Sequence, residues 1–153
     1  MRKRDGEGLL LKLDFAKAYD NIDWKFLLNM LTEMGFGQRW IKWIQGCVST
    51  ATLAVLVNGS PTDFFAIEKG LRQGDPLSPL LFNLCVNALS CMLNLLLAEE
   101  NPCGFSIVNG LAINHLQFAN DTLVFCEDDA SQLGRISDAL EAFLWASGLK
   151  VNF

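Results

Sequence analysis

Residues 115–126 read HLQFANDTLVFC, in which two short apolar segments flank the pair Asn120-Asp121. Asn and Asp favour tight turns because their side chains hydrogen-bond to the nearby backbone and tolerate the left-handed conformation. The pattern predicts a β-hairpin with strands over 115–119 and 122–126. Asp121 would then lie at the tip of this hairpin.

A second carboxylate, Asp14, follows the apolar segment 9–13, which is typical of a short buried strand. If this strand neighbours the hairpin, the carboxylates of Asp14 and Asp121 converge, and both stay ionised only with a cation between them. Mg²⁺ binds through one or two carboxylates together with substrate phosphates, and such sites serve two-metal phosphoryl transfer. Spacing alone leaves another interpretation open, in which Asp14 caps a helix and Asn120-Asp121 is an ordinary turn.

The remaining segments alternate between helix and strand signals, and no repeat or linker divides the chain. Apolar spacing predicts helices over 24–34, 38–48 and 131–147, and a long helix that begins near Ser78-Pro79 and ends within residues 99–102. It also predicts strands over 51–58 and 64–67, a hairpin of 105–108 with 111–113 around Asn109-Gly110, and the start of a strand at 150–153. The four Trp residues (24, 40, 43 and 145) lie at helical positions and are expected in the core. This order predicts one α+β domain, with an antiparallel sheet packed on helices.

The segment 76–98 carries no charged residue and is long enough to cross a bilayer. Its polar residues Asn83, Asn87, Ser90 and Asn94 fall in one stripe along a helix. Since a helix facing lipid rarely carries such a stripe, the pattern favours the buried helix of a soluble protein. A membrane protein built around this segment is kept as an alternative.

The composition limits the class of protein. Of 153 residues, 51% are hydrophobic and 19% are charged, which excludes a disordered chain. The net charge of −5 argues against a small basic nucleic-acid module. The charge is uneven: residues 1–45 hold eight Lys/Arg and six Asp/Glu, while residues 46–153 hold four and eleven.

Cysteine and histidine usage narrows the chemistry further. The five cysteines are odd in number and include no CxxC pair, so a disulfide framework or a zinc site is not expected. The lone histidine, His115, excludes a His-rich metal site and is expected to be structural. The apolar run after the basic N-terminus is too short for a signal peptide, so we expect an intracellular protein, in the nucleus or cytoplasm.

Four ordered segments together resemble the palm motifs of a reverse transcriptase. They read LDFAKAYD at 13–20, GLRQGDPLSP at 70–79, FAND at 118–121 and ASGLKVN at 146–152. Within that family the chain most resembles the polymerases of plant LINE-type (non-LTR) retrotransposons. The segment NGSPT at 58–62 is also similar to the sequence found there between the first two motifs. The resemblance runs from about Leu9 to the end, leaving residues 1–8 as a leader that does not match.

The resemblance implies a metal centre at the two carboxylates. Asp14 and Asp121 match metal-binding residues, and the backbone carbonyl of Phe15 matches an additional ligand. Mg²⁺ is the implied cofactor, with Mn²⁺ as a substitute. The family motif is aromatic-Ala-Asp-Asp, but here its first Asp is Asn120. Loss of that charge is expected to slow catalysis on the order of a thousandfold or more, so this copy is expected to be inactive or nearly so.

The resemblance also implies contacts to the substrate. Tyr19 matches the aromatic residue that excludes a ribose 2′-hydroxyl and so favours dNTPs. Arg72, Gln73 and Gly74 match the loop that touches the template and the incoming nucleotide, where glycine lets the backbone approach closely.

The implied partners are an RNA template, a DNA primer and dNTPs. Fingers and thumb, which flank the palm in the family, are expected to be largely missing from residues 1–153, so the fragment alone should bind primer–template weakly. Surfaces that would meet them should be apolar. The alternative is a non-catalytic reverse-transcriptase-like module that only binds nucleic acid or protein.

Overall fold

A three-stranded antiparallel sheet lies at the centre of the computed structural model, which describes residues 8–98, 104–108 and 111–152. The strands are β1 (Gly8–Asp14), β2 (Thr52–Leu53), β3 (Leu56–Val57), β4 (Ser60–Pro61), β5 (Phe65–Ala66), β6 (Phe105–Val108), β7 (Leu111–Ile113), β8 (His115–Phe118) and β9 (Asp121–Glu127). The helices are α1 (Ala18–Asn21), α2 (Trp24–Glu33), α3 (Gln38–Ser49), α4 (Ser78–Ala98) and α5 (Ala130–Ser147). The predicted α+β class is confirmed.

The central sheet has the strand order β1-β9-β8. The hairpin of β8 and β9 therefore lies directly beside β1, as the convergence of the two carboxylates requires. Strands β1 and β9 are antiparallel and pair Gly8 with Glu127 at one end and Asp14 with Asp121 at the other. The register thus places both carboxylates at the same edge of the sheet.

Alternation along these strands decides which face of the sheet is buried. In β9 the side chains of Thr122, Val124 and Cys126 are buried, and the residues between them are partly exposed. The buried face packs on a core that includes Phe82 of α4 and Phe143 of α5. Side chains of a strand alternate between faces, so the period-2 pattern buries one face on helices and leaves the other open.

Helix α4 packs one apolar side into the core and exposes the polar stripe. Its buried residues are Ser78, Leu81, Phe82, Cys85, Val86, Leu89 and Leu93. Asn83, Asn87 and Asn94 are exposed, and Ser90 is half-buried. By length and composition this helix is one that could cross a membrane, a test that the core helix of a soluble protein also passes.

Several local expectations need correction. The strands expected over 51–58 and 64–67 are broken into four two-residue strands. Residues 150–152 form an isolated bridge, between Phe15 and Val151, in place of the expected strand, and residue 153 lies outside the described residues. The turn Asn109-Gly110 and residues 1–7 of the expected leader lie outside the described residues, although β6 and β7 do pair as predicted.

The expectation that all four Trp side chains are in the core is wrong for two of them. Trp43 is 58% exposed and Trp145 is 89% exposed. In α3 the buried stripe runs through Ile41 and Ile44, and Trp43 lies outside it. The Trp43 ring instead packs under the guanidinium of Arg39, 4.9 Å from the ring centroid.

Candidate metal and nucleotide site

The carboxylates of Asp14 and Asp121 lie at one edge of the sheet, beside the turn residue Asn120 and the backbone of Phe15. Asp14 is the last residue of β1 and Asp121 is the first residue of β9, directly opposite it. Directly opposite residues of antiparallel strands project from the same face. The Phe15 N–H donates to the Asn120 carbonyl at 3.4 Å, which joins the strand end to the turn. The structure therefore brings Asp14, Phe15, Asn120 and Asp121 together at one edge of the sheet.

The hairpin turn differs by one residue from the expectation. Because Asp121 pairs with Phe118, it belongs to β9, and the turn residues are Ala119 and Asn120. Ala119 has φ 54°, in the left-handed region that alanine adopts at a cost of about 1–2 kcal/mol. The shift moves Asp121 from the tip of the hairpin into the ladder, where its backbone is held by both neighbouring strands.

Asn120 turns its amide nitrogen toward Asp14. Its Nδ2 donates to Asp14 Oδ1 at 3.1 Å. An amide nitrogen has no lone pair for a cation, so in this arrangement Asn120 is a hydrogen-bond donor to the carboxylate. Sequence reasoning identified the residue and its lost charge; the direction of the hydrogen bond emerges only from the structure.

Asn152 is a contact residue that the sequence reasoning left without a role. Its Nδ2 donates to Asp14 Oδ2 at 3.0 Å, and its backbone N–H donates to the Asp14 carbonyl at 2.9 Å. The residue closes the segment ASGLKVN, whose presence in the last motif was the available signal. Both oxygens of the Asp14 carboxylate thus accept from amide groups.

Asp121 is paired with a lysine. Lys12 Nζ lies 3.5 Å from Asp121 Oδ1, and both side chains are partly exposed. An exposed pair of this kind contributes about 0–1 kcal/mol and is screened by salt. Lys12 is two residues from Asp14 and therefore projects from the same face of β1. The edge thus carries two negative charges, one positive charge and two neutral amide donors.

These residues fit one Mg²⁺ ion of the kind that relies on substrate for its remaining ligands. Mg²⁺ is commonly held by one or two carboxylates and completes its shell with water and phosphate oxygens. Within the described residues, no group of three or more His, Cys, Asp or Glu side chains could hold a metal ion. The groups available at this edge are the carboxylates of Asp14 and Asp121 and the carbonyl of Phe15, and oxygen atoms of these kinds are the ligands that Mg²⁺ takes.

Tyr19 is held by a loop and a helix together. The Leu71 N–H donates to the Tyr19 carbonyl at 2.7 Å. The Tyr19 ring stacks on Phe82 of α4, with ring centroids 4.9 Å apart and planes inclined by 20°. This fixes both the backbone and the ring of Tyr19.

The loop that contains Arg72, Gln73 and Gly74 lines a cavity of about 470 Å³. Arg72 pairs with Asp75 at 3.0 Å, and Gln73 Nε2 donates to Asp20 Oδ1 at 3.4 Å. The cavity is lined by Asp20, Leu53, Ile67, Lys69, Gly70, Leu71, Arg72 and Gln73. Gly74, with φ 85°, has the left-handed backbone that glycine adopts freely. The loop and the Tyr19 segment are therefore neighbours.

His115 lies on β8 and faces helix α4. Its Nδ1 is 2.7 Å from Asn114 Oδ1 and its Nε2 is 3.1 Å from Ser90 Oγ. Burial lowers the pKa of the imidazole from its ordinary value of 6.5. These contacts lie between sheet and helix, in agreement with the structural role that the sequence predicts.

The open face of the sheet carries large apolar side chains. Phe118 is 84% exposed, Leu10 is 58% exposed and Leu116 is 53% exposed. A cavity of about 580 Å³ on this face reaches from Leu116 and Phe118 to Lys12 and Asp121. An exposed apolar surface thus lies beside the carboxylate pair.

The sequence matches a known family, and the fold matches solved structures. A family described as "Reverse transcriptase (RNA-dependent DNA polymerase)" matches residues 1–153. A structure of telomerase from Candida tropicalis, in complex with a fragment of telomeric RNA, aligns with a TM-score of 0.74. It is 14% identical and covers 98% of this chain and 26% of that one, so it shows the fold.

Two curated relatives add detail. The retrovirus-related Pol polyprotein of a type-1 R2 retrotransposable element from Popillia japonica is 32% identical over 120 residues, which is 78% of this chain. An uncharacterized mitochondrial protein of Arabidopsis thaliana is 42% identical over 71 residues, 46% of this chain and 58% of its own length. The chain spans only 16–19% of the two Popillia polyproteins that it matches.

Proposed function

The chain belongs to the reverse transcriptase family, and on that premise we propose that it is a segment of a non-LTR retrotransposon polymerase whose metal centre is impaired by Asn120. The observation that carries the proposal is the pairing of Asp14 with Asp121 at one sheet edge, where the Asn120 amide donates to Asp14. The edge retains two carboxylates of the family pattern and replaces the third with a neutral donor.

The reaction of the parent protein is RNA-directed DNA synthesis, with an RNA template, a DNA primer and dNTPs as its partners. The family description supports this assignment. The chain carries 12 Lys and Arg residues against 17 Asp and Glu residues, so its net charge is −5. Because affinity for nucleic acid depends mainly on cation–phosphate contacts, the segment alone should bind primer–template weakly.

Asp14, Asp121 and the Phe15 carbonyl would hold Mg²⁺, or Mn²⁺ in its place, and the bound metal would activate the primer 3′-hydroxyl and stabilise charge on the transferred phosphate. The chain's own part is to hold the two carboxylates in fixed positions at the ends of paired strands. Tyr19 would exclude a ribose 2′-hydroxyl, since its ring is fixed against Phe82.

The loop of Arg72, Gln73 and Gly74 would contact the template and the incoming nucleotide. Its position beside Tyr19, through the Leu71–Tyr19 hydrogen bond, supports this role. Arg72 is exposed and its guanidinium is engaged by Asp75 at 3.0 Å, so a phosphate would compete with that carboxylate. Gly74 has a left-handed backbone, and a Cβ placed there would meet no atom within 4 Å, so the backbone at this position is accessible.

Asn120 is the reason to propose impaired catalysis. It brings no negative charge, and its nitrogen faces Asp14. Electrostatic stabilisation is commonly the largest catalytic contribution, so the loss should cost on the order of a thousandfold in rate.

We further propose a plant LINE-type element as the source and the nucleus or cytoplasm as the location. The similarity to the Arabidopsis protein supports the first. The odd number of cysteines in the sequence, with no CxxC motif, supports a reducing compartment.

The test is primer extension by this segment placed in a full-length parent, with Asn120 and with Asn120→Asp. The expected result is extension that rises on the order of a thousandfold in the Asn120→Asp protein. An Asp14→Asn change in the same background is the control and should abolish the gain. Strong extension by the Asn120 form would contradict the proposal.

A second function is favoured by the same hydrogen bond. Because Asn120 satisfies Asp14 without a cation, the alternative is that the parent protein is a non-catalytic reverse-transcriptase-like module that binds nucleic acid or protein. Retained RNA binding by the parent protein without extension, in both the Asn120 and the Asn120→Asp forms, would select this alternative.

A further inference from the structure

Asn152 joins the segment after α5 to the carboxylate at the end of β1. Its side-chain Nδ2 donates to Asp14 Oδ2 at 3.0 Å, and its backbone N–H donates to the Asp14 carbonyl at 2.9 Å. The two residues are 138 positions apart in the sequence. A single residue thus fixes both the main chain and the side chain of Asp14.

The backbone of Asn152 is itself held in place. The Ala16 N–H donates to the Lys150 carbonyl at 2.8 Å, and Val151 forms a bridge with Phe15. Leu149 is 3% exposed and anchors the segment in the core. The short side chain of Asn152 therefore extends from a fixed point to Asp14.

An ionised carboxylate has about four acceptor positions, so a hydrogen bond at Oδ2 leaves positions for a cation. Carboxylates that ligate metals are commonly held by such outer hydrogen bonds, and loss of one typically weakens metal affinity or activity about 10–100-fold. Asn120 also donates to Asp14, but an aspartate at position 120 would have no such donor. Asn152 is the donor that the Asn120→Asp change leaves in place.

We propose that Asn152 is a positioning residue that orients the Asp14 carboxylate for metal binding. This inference rests on the proposed function, since it assumes that Asp14 is a metal ligand. Asn152 acts through Asp14 and needs no contact with the metal or with the nucleotide.

The experiment measures Mn²⁺ affinity by electron paramagnetic resonance in the full chain carrying Asn120→Asp. Asn152→Ala is added to remove the side-chain donor while keeping the backbone bond. The expected result is a Kd for Mn²⁺ that is about 10–100-fold weaker. Asn83→Ala, at an exposed position of α4, is the matched control and should leave the Kd unchanged.

Circular dichroism of each variant separates orientation from folding. A merely structural role would lower the melting temperature of Asn152→Ala without changing the Kd measured well below that temperature, and this result would overturn the inference. If Asp14→Asn leaves Mn²⁺ binding unchanged, the metal site of the proposed function fails, and the inference fails with it. If binding depends on Asp14 but not on Asn152, only the inference fails.

Discussion

Replacing Asn120 with aspartate should destabilise the metal-free protein and make its stability depend on a divalent cation. The change keeps the size of the side chain but removes the donor that lies 3.1 Å from Asp14 Oδ1. It also places a third carboxylate beside Asp14 and Asp121. The turn at 119–120 and the ladder beside it hold that carboxylate near its neighbours.

The magnitude follows from two contributions. Two unit charges 4 Å apart repel by about 1 kcal/mol in water and about 4 kcal/mol at an effective dielectric constant of 20. Asn120 is exposed, so the value near the water limit applies. The lost hydrogen bond to a charged acceptor adds about 1 kcal/mol at an exposed position. The sum is about 2 kcal/mol, which for about 150 residues lowers the melting temperature by about 4–8 °C.

The assay is thermal unfolding followed by circular dichroism, first in EDTA and then with Mg²⁺ or Mn²⁺. We expect the Asn120→Asp protein to melt lower than the parent in EDTA and to regain the difference when the cation is added, because a ligand of the folded state stabilises it. The parent should respond little. Asn83→Asp makes the same chemical change on α4 and is the control for added charge.

A salt series adds a second readout. Repulsion between exposed charges is screened at high ionic strength, so the difference in EDTA should shrink as salt is added. The reasoning would be refuted by an Asn120→Asp protein that melts at or above the parent in EDTA, or by a cation that raises both melting temperatures equally.

Three further predictions concern the elements that position the site. Gly70→Ala should lower the melting temperature by at least about 4 °C, because φ is +88° and the new Cβ would lie 2.7 Å from the Asp20 carbonyl; Gly46→Ala, with open space on α3, should not. Ala119→Gly should raise stability in urea by about 0.5 kcal/mol, since φ is 54°, and a lower stability would contradict the left-handed turn. Burial lowers the pKa of His115 below 6.5, so its contribution to stability is present above pH 6.5 and falls as the pH drops below it. In the His115→Gln protein, the free energy of unfolding measured in urea should fall less as the pH drops. An unchanged pH dependence would exclude His115 as its source.

Local signals were sufficient to predict the strands that carry the two carboxylates. The alternation around position 120 predicts a hairpin, and the apolar segment before Asp14 predicts a strand; the structure pairs the two. The sequence made the convergence of Asp14 and Asp121 conditional on this long-range pairing, which local patterns do not report. On α4, Asn83, Asn87 and Asn94 of the polar stripe are exposed and Ser90 is half-buried.

Other features depend on energies that short windows of sequence do not report. The sequence predicts the turn at Asn120-Asp121 because Asn and Asp favour tight turns, yet Ala119 has the positive φ here, which alanine rarely adopts. The ladder with β1 outweighs this preference, since it pairs every residue from Gly8 to Asp14. Sequence reasoning assigned Asn152 no role because its contact with Asp14 spans 138 residues, and only its place in the last motif marks it.

The charges at the sheet edge connect stability with the proposed loss of catalysis. Asp14 has two amide donors, from Asn120 and Asn152, and Asp121 has Lys12 at 3.5 Å. The chain's own groups therefore stabilise both carboxylates without a cation. A third carboxylate would strengthen metal binding but would leave the metal-free edge with more repulsion and one donor fewer. In enzymes, a highly charged active site commonly lowers the stability of the fold. Under the proposed function, Asn120 therefore stabilises the metal-free edge through its hydrogen bond to Asp14 while lowering the negative charge available to a metal.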